Sequence, residues 1–291
     1  MLHTEFIQHL EAVCTKIEQK SSKLRAYEKI YGGNVNQTYR LAMMDSDYFI
    51  KINQKDKLKM FETEAASLKI LADTDSFIVP NIYQTGVFES QSYLLMDFIL
   101  PLHDTKNIEN FVQNLIKLHQ TTQKDFGLDF DNFIGELPQK NTPQKDWSDF
   151  YIINRLQFQL KIAGQQSKIP TGILASFDKL YPKLSDIFPK EPPALLHGDL
   201  WKGNYFYNLQ GNAVVFDPAI YYGHREMDLA MMRLFGGFDD RIFEIYQDLF
   251  PLEDNWQERV AIAQLYPLLV HANLFGGAYW TNITSVLKRF V

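Results

Sequence analysis

"LLHGDLWKGN", residues 195–204, leads two leucines into a His, a Gly and an Asp, and sets an Asn five positions after that Asp. Two physical readings compete. In the plain one, Asp199 caps an Asx-turn and Asn204 tolerates a left-handed backbone in an ordinary loop. In the other, the loop presents Asp199 to one partner and then turns back so that the Asn204 amide oxygen reaches a second. The residues downstream change the weighing, although a carboxylate before a Pro is also a common turn residue. "NAVVFDP" (212–218) is a buried-looking strand that ends in a carboxylate, Asp217, just before Pro218. Asp199, Asn204 and Asp217 together are the groups that phosphoryl transfer asks for: a carboxylate to orient or deprotonate a hydroxyl, and oxygen ligands for Mg²⁺.

The same chemistry also needs a Lys on the nucleotide phosphates and a carboxylate to hold that Lys. "YFIKIN" (48–53) puts Lys51 in the middle of a strand. "MFETEAASLKIL" (60–71) follows as a helix whose apolar face carries Phe61, Leu68 and Leu71. Glu64 is three, four and seven positions from these, on the same face. A carboxylate on a buried face needs a partner, because desolvating it alone is costly; Lys51 is the natural one. Upstream, "YGGNVNQTYRL" (31–41) is a candidate phosphate-covering turn, in which Gly32 and Gly33 let backbone N–H groups approach phosphate oxygens. Two glycines between strands also suit a plain hairpin. Downstream, "LLMDFI" (94–99) reads as a hinge in which backbone groups of Met96, Asp97, Phe98 and Ile99 meet adenine. The order is Gly-rich turn, strand Lys, helix Glu, hinge, Asp/Asn loop, strand-end Asp. It is more specific than any one element, and His197, Asp199, Leu200 and Asn204 fit the kinase catalytic-loop pattern H-R-D-L-x-x-x-N except for Gly198.

Composition bounds the rest. The chain has 291 residues and 46% are apolar, enough for two lobes with sizeable cores. A formal charge of −6 argues against a general nucleic-acid binder. No apolar run approaches the ~20 residues of a membrane span. The N-terminal stretch mixes charges with an amphipathic stripe of Phe6, Leu10, Val13 and Ile17 and does not read as a signal peptide. Cys14 is the sole cysteine, so no internal disulfide can form, and a cytoplasmic protein is expected. Helices are expected over 2–19 and 58–72, and strands near 25–31, 36–43, 47–53, 82–88 and 91–98. Beyond "LPLHD" (100–104), helices are expected over 107–122, 147–163 and 172–187, and from about 226 to the end. There is no internal repeat. A boundary near 98/99 is expected, with a β-rich N-terminal lobe (1–98) and a larger, mostly helical C-terminal lobe (99–291), an α+β arrangement.

With Trp201 in the loop, the HGDLWxGN form resembles the fructosamine kinase (ketosamine-3-kinase) family, within the wider aminoglycoside-phosphotransferase-like kinases. The likeness spans nearly the whole chain. "FGLDFDNFIGELPQKNTPQKDWSDFYIINRL" (126–156) is similar to the family's segment ahead of the catalytic loop, with its Gln-x-Asn. "FDPAIYYGHREMDLAMMRLFGGF" (216–238) resembles its Asp-Pro-Ala and Glu-x-Asp-Leu-Ala run. The resemblance implies a bilobal protein-kinase-like fold, ATP with Mg²⁺, and transfer of phosphate to the 3-hydroxyl of a sugar joined to an amine as a ketosamine. It implies Asp199 as base, Asn204 and Asp217 as metal ligands, and Lys51 paired with Glu64. Relatives with a Cys in the Gly-rich turn differ from this chain, which has none there. Gly198 in place of Arg argues against control by activation-loop phosphorylation and against a protein-hydroxyl substrate.

Other residues carry quieter readings. His197 is expected to hold backbone near Asp217 rather than act as a base. His119 and His271 fit packed core or groove positions, and no His/Cys cluster has zinc spacing. Trp201 can stack on substrate or pack under the loop. Glu226 and Asp228 open a helix, where carboxylates suit the N-terminus, and Asp228 is read as bracing the loop. The competing functions are a kinase for another small hydroxyl compound (an aminoglycoside, choline or a plain sugar) and a nucleotide-binding protein without catalysis.

Overall fold

Alternation along one strand decides which face of the first sheet each residue meets. The computed structural model describes residues 2–31, 35–102, 107–166 and 168–291, so Gly32 and Gly33 lie outside the described residues. The chain divides into two compact units, one of residues 1–106 and 206–216, the other of 107–205 and 217–291.

In the first unit, helix α1 (Thr4–Glu18) leads into strands β1 (Leu24–Ile30), β2 (Gln37–Met43) and β3 (Asp47–Gln54). Helix α2 (Leu58–Asp73), β4 (Ile82–Phe88) and β5 (Gln91–Asp97) follow. The strands form one antiparallel sheet in the order β1-β2-β3-β5-β4. Phe6, Leu10, Val13 and Cys14 of α1 are buried in one cluster with Leu41, Ile50, Ile52, Tyr93 and Leu95. Successive side chains on a strand point to opposite faces, so Ile50 and Ile52 face α1 and Lys51 between them faces the other way. In register, Lys51 lies opposite Thr38 of β2 and Leu94 of β5. Phe61, Leu68 and Leu71 of α2 are buried, and α2 packs on β4 and β5. The strands Tyr205–Asn208 and Ala213–Val215 pair with each other, and the first of them pairs with Pro101–Leu102.

Cys14 is fully buried in the α1 cluster, and burial pushes its thiol up to about 12. An aromatic disulfide reagent at pH 8 should therefore react with the native protein at least about a hundredfold more slowly than with the urea-unfolded chain, since only the thiolate attacks. Equal rates in the two states would contradict the packing of α1.

The second unit is mostly helical and is built on one core that includes Phe150, Tyr151, Phe177, Leu196, Tyr221, Leu269 and Ile283. Two expected helices differ in detail. The 147–165 segment is wound as a π-helix over Tyr151–Gln157 between α-helical ends. The 172–187 segment breaks into Ile173–Leu180 and Leu184–Ile187 around a 3-10 turn at Tyr181–Lys183, because Pro182 has no N–H to continue the ladder. Strands Ala194–Leu196 and Tyr221–Gly223 pair antiparallel, Leu196 opposite Tyr221. At three residues each they are too short for periodicity to reveal, yet they hold the start of one candidate loop beside the end of the other. Among the described residues no helix is long and apolar enough to cross a membrane.

Candidate active site

Asp228 holds the loop that opens at His197. Its two carboxylate oxygens accept the backbone N–H groups of His197 (2.8 Å) and Gly198 (2.9 Å). The buried His119 ring contacts Asp228 through Nε2 (3.3 Å) and the Tyr246 hydroxyl through Nδ1 (2.8 Å). Gly198 adopts φ +80°, and a Cβ there would lie 2.0 Å from the Ala219 carbonyl oxygen. The loop therefore excludes the Arg of the protein-kinase pattern on steric grounds. The N–H of Ala219 donates to the His197 carbonyl (2.9 Å), and the Asp199 N–H donates to His197 Nδ1 (3.3 Å).

Beyond Asp199 the backbone turns back through Trp201 N–H to Asp199 O (3.1 Å) and Asn204 N–H to Trp201 O (3.0 Å). This turn brings the buried Asn204 amide onto Asp199. Its Nδ2 donates to the Asp199 carbonyl (2.9 Å) and to Asp199 Oδ2 (3.0 Å), and lies 3.5 Å from the Asp217 carbonyl. Asp217 has φ +54°, a left-handed conformation that Asp tolerates better than most residues and that strained functional sites often hold. Burial, and next the charge of Asp217, push the Asp199 carboxyl up to about 7. Two carboxylates close together with oxygen ligands around them suit a hard divalent cation. Among the described residues no group of three or more His, Cys, Asp and Glu could hold a metal by itself.

In the first unit, Lys51 Nζ donates to Glu64 Oε1 at 2.6 Å, and both side chains are largely buried. Met96 is buried within β5, in register with Phe49 and Ile82. The Asp97 carboxylate accepts from Asn81 Nδ2 (2.7 Å) and the Tyr83 hydroxyl (2.6 Å), which fixes the end of β5. Asp97, Phe98, Ile99 and Leu100 line a pocket of about 290 Å³ with Asn208, Leu209 and Gln210. A larger open groove of about 1100 Å³ sits at the other end of the strands, against Asn36, Asn53 and Gln91. Lys55 and Asp56 line it as well, with the amides of Gln37 and Gln54.

Trp201 leans over Gly203, where any side chain would run into its ring. It begins an aromatic run: Phe235 lies edge-on at 6.1 Å, His271 is 4.8 Å from Phe235, and Tyr279 is 5.2 Å from His271. Phe235 is exposed and the other three are partly so. His271 donates through Nδ1 to the Pro267 carbonyl (2.8 Å), and burial lowers its pKa, so the ring is neutral and its Nε2 is an acceptor. Reading the sequence did not single out Phe235, His271 or Tyr279 for this site. A signal was present: "LFGG" occurs twice, at 234–237 and 274–277, and all four glycines take positive φ.

The chain matches the fructosamine kinase family over residues 6–291. It belongs to the fructosamine kinase family. A relative named "probable ketoamine kinase" from Enterococcus faecium is 39% identical over 264 residues, covering 90% of this chain and 94% of that protein. A crystal structure from Haemophilus somnus, provisionally named a fructosamine-3-kinase, superposes with a TM-score of 0.89 at 29% identity, covering 97% of this chain and 96% of that one. A choline kinase from Streptococcus pneumoniae shares the fold at 14% identity, with a TM-score of 0.63 over 97% of this chain and all of that one. The architecture is thus an α+β, protein-kinase-like fold, as expected, and the family is one of kinases.

Proposed function

We propose that this chain is an ATP- and Mg²⁺-dependent kinase that phosphorylates the 3-hydroxyl of ketosamines. The observation that carries the reading is the Asn204 amide, which a tight turn brings onto Asp199 through Nδ2, with the Asp217 carbonyl 3.5 Å from the same nitrogen, so that the three residues share one small volume. In this reading Asp199 orients and deprotonates the acceptor hydroxyl, Asn204 and Asp217 hold Mg²⁺, and Lys51, fixed by Glu64, sits on the ATP phosphates. The metal supplies charge neutralisation for the phosphates when bound. Met96, Asp97, Phe98 and Ile99 form the hinge for adenine, Gly32 and Gly33 cover the phosphates, and the 98/99 boundary separates the nucleotide lobe from the acceptor lobe. Trp201, with Phe235, His271 and Tyr279, offers a run of mutually tilted rings to the sugar–amine adduct.

The chemistry of the product supports a deglycation role. A hydroxyl on carbon 3 leaves poorly, whereas a phosphate there leaves well once the neighbouring carbonyl has enolised. Loss of inorganic phosphate, followed by addition of one water to the resulting imine, releases the free amine and a dicarbonyl sugar. No enzyme is needed for these later steps. The protein then works on small-molecule or protein-borne ketosamines in the cytoplasm, with no role for nucleic acid or membrane.

A panel tests the acceptor: ATP consumption with ribulosamines, fructosamines, aminoglycosides, choline and free sugars. Turnover confined to ketosamines is expected; turnover confined to another acceptor refutes this reading in favour of a different small-hydroxyl kinase. Lys51→Met should lower kcat/KM for ATP about tenfold or more, and Glu64→Ala should mimic it in part. Because the two side chains act as one unit, the double variant should be little worse than Lys51→Met. Fully additive losses would show that they act separately.

A further inference from the structure

Arg155 is fully buried, in the middle of the π-helical segment, and among the described residues it has no carboxylate partner. It is packed against three rings, Tyr221 at 3.9 Å, Phe150 at 4.6 Å and Tyr266 at 5.1 Å. Its guanidinium donates to the Lys140 and Asn154 carbonyls and, through Nη2, to Asn141 Oδ1 (2.8 Å). An apolar residue of similar size would avoid desolvating a cation here. π-helical turns are also frequent at functional sites.

The bonds beyond Asn141 all run one way. Asn141 Nδ2 donates to Asn132 Oδ1 (2.9 Å), and Asn132 Nδ2 donates to the Ile220 carbonyl (2.9 Å). Gln139 Nε2 donates to Asn132 Oδ1 (2.8 Å) and to the Ala219 carbonyl (2.9 Å), while Gln139 Oε1 accepts from the Tyr266 hydroxyl (2.6 Å). A chain of amides has two possible senses, since each can present oxygen or nitrogen. Arg155 can only donate, and the carbonyls of Ala219 and Ile220 can only accept. The cation at one end and the carbonyls at the other therefore select the same sense. The end of the relay is the stretch two and three residues after Asp217. Ala219 is also the residue whose N–H binds His197 and whose carbonyl fills the space beside Gly198.

We propose that Arg155, Asn141, Asn132 and Gln139 are positioning residues that clamp residues 219–220 and so hold Asp217 at its working distance from Asp199. The clamp is built in permanently, and it does for this chain what a phosphorylated loop does in regulated kinases. The inference rests on reading Asp199 and Asp217 as base and metal ligand.

Asn141→Asp is the decisive variant. The new carboxylate pairs with Arg155, so the buried cation stays satisfied, but it cannot donate to Asn132. A merely structural role predicts a folded protein with unchanged kinetics. The clamp predicts a thermal midpoint within a few degrees of the unsubstituted protein and kcat lower by about 10–100-fold, the range seen when groups behind a metal ligand are removed. Arg155→Lys, which keeps the cation, should retain more activity than Arg155→Met. A second readout needs no turnover: calorimetric titration of ADP with and without Mg²⁺. Mg²⁺ should tighten ADP binding in the unsubstituted protein and do so at least about fivefold less in Asn141→Asp. Equal Mg²⁺ effects and equal kcat in a folded Asn141→Asp protein would overturn the clamp. If the unsubstituted protein turns over no ketosamine, the proposed substrate fails while the ADP titration still decides the clamp. If Mg²⁺ leaves its ADP affinity unchanged, the clamp falls together with Asp217 as a metal ligand.

Discussion

Asp199→Asn is expected to lower kcat by about 10²–10⁴-fold with the fold intact, the usual loss when a general base is removed. The amide is the same shape as the carboxyl and its oxygen can still accept from Asn204 Nδ2, so the turn from 199 to 204 persists. What disappears is the proposed proton acceptor. Stability should not suffer, because the native site crowds Asp199 against Asp217 and holds it away from water, both of which disfavour its charge. A neutral side chain relieves that repulsion, so the thermal midpoint without metal should stay level or rise. Steady-state kinetics and a melting curve on one preparation check both halves. A variant with near-normal kcat would remove Asp199 from the base role, and one that fails to fold would show that the loop depends on its charge.

Arg259→Met should destabilise the protein by about 3–5 kcal/mol, the typical result of leaving one member of a buried ion pair alone. Glu226 is almost wholly buried, and Arg259 donates to it through Nε (3.1 and 2.9 Å) and Nη2 (2.6 Å). Arg259 also donates to the Asp254 and Glu253 carbonyls, so it ties the chain before helix Trp256–Ala263 to helix Glu226–Leu234. The latter helix carries Asp228 and hence the loop of Asp199. Glu226→Gln with Arg259→Met should recover part of the loss, because no charge is then stranded. Urea unfolding measures all three variants. A loss below about 1 kcal/mol for Arg259→Met would mean that Glu226 finds water or another partner.

Much of this was legible in the sequence because the telling residues break a pattern that apolar neighbours establish. Lys51 stood out as a charge inside a strand, and Glu64 as a charge on an apolar helix face; the structure joins them at 2.6 Å. Asp199 and Asn204 were legible through spacing alone, and the turn brings the Asn204 amide to Asp199. Asp228, read as a brace, bonds the two backbone N–H groups that precede Asp199. The 132–141 amides were not legible in this way. Asn and Gln are ordinary loop residues, and their meaning lies in partners some 80 residues away at Ala219 and Ile220. Nor was Arg155, since "IINRLQF" reads as a surface cation on a helix until the π-helical winding and three rings enclose it. The aromatic run from Trp201 to Tyr279 joins residues that are far apart in sequence, and the repeated "LFGG" was its one local trace.

The position of the transferred phosphate tests the central claim most directly. Ribulosyl-lysine, ATP, Mg²⁺ and the protein are incubated, the protein is filtered away, and the product is followed by proton–phosphorus correlation NMR. Coupling of the new phosphorus to the proton on carbon 3 is predicted, followed by slow decay of that signal as free lysine and inorganic phosphate appear without protein. Coupling to a proton on any other carbon, or a phosphorylated adduct that stays intact for days at neutral pH, would contradict it.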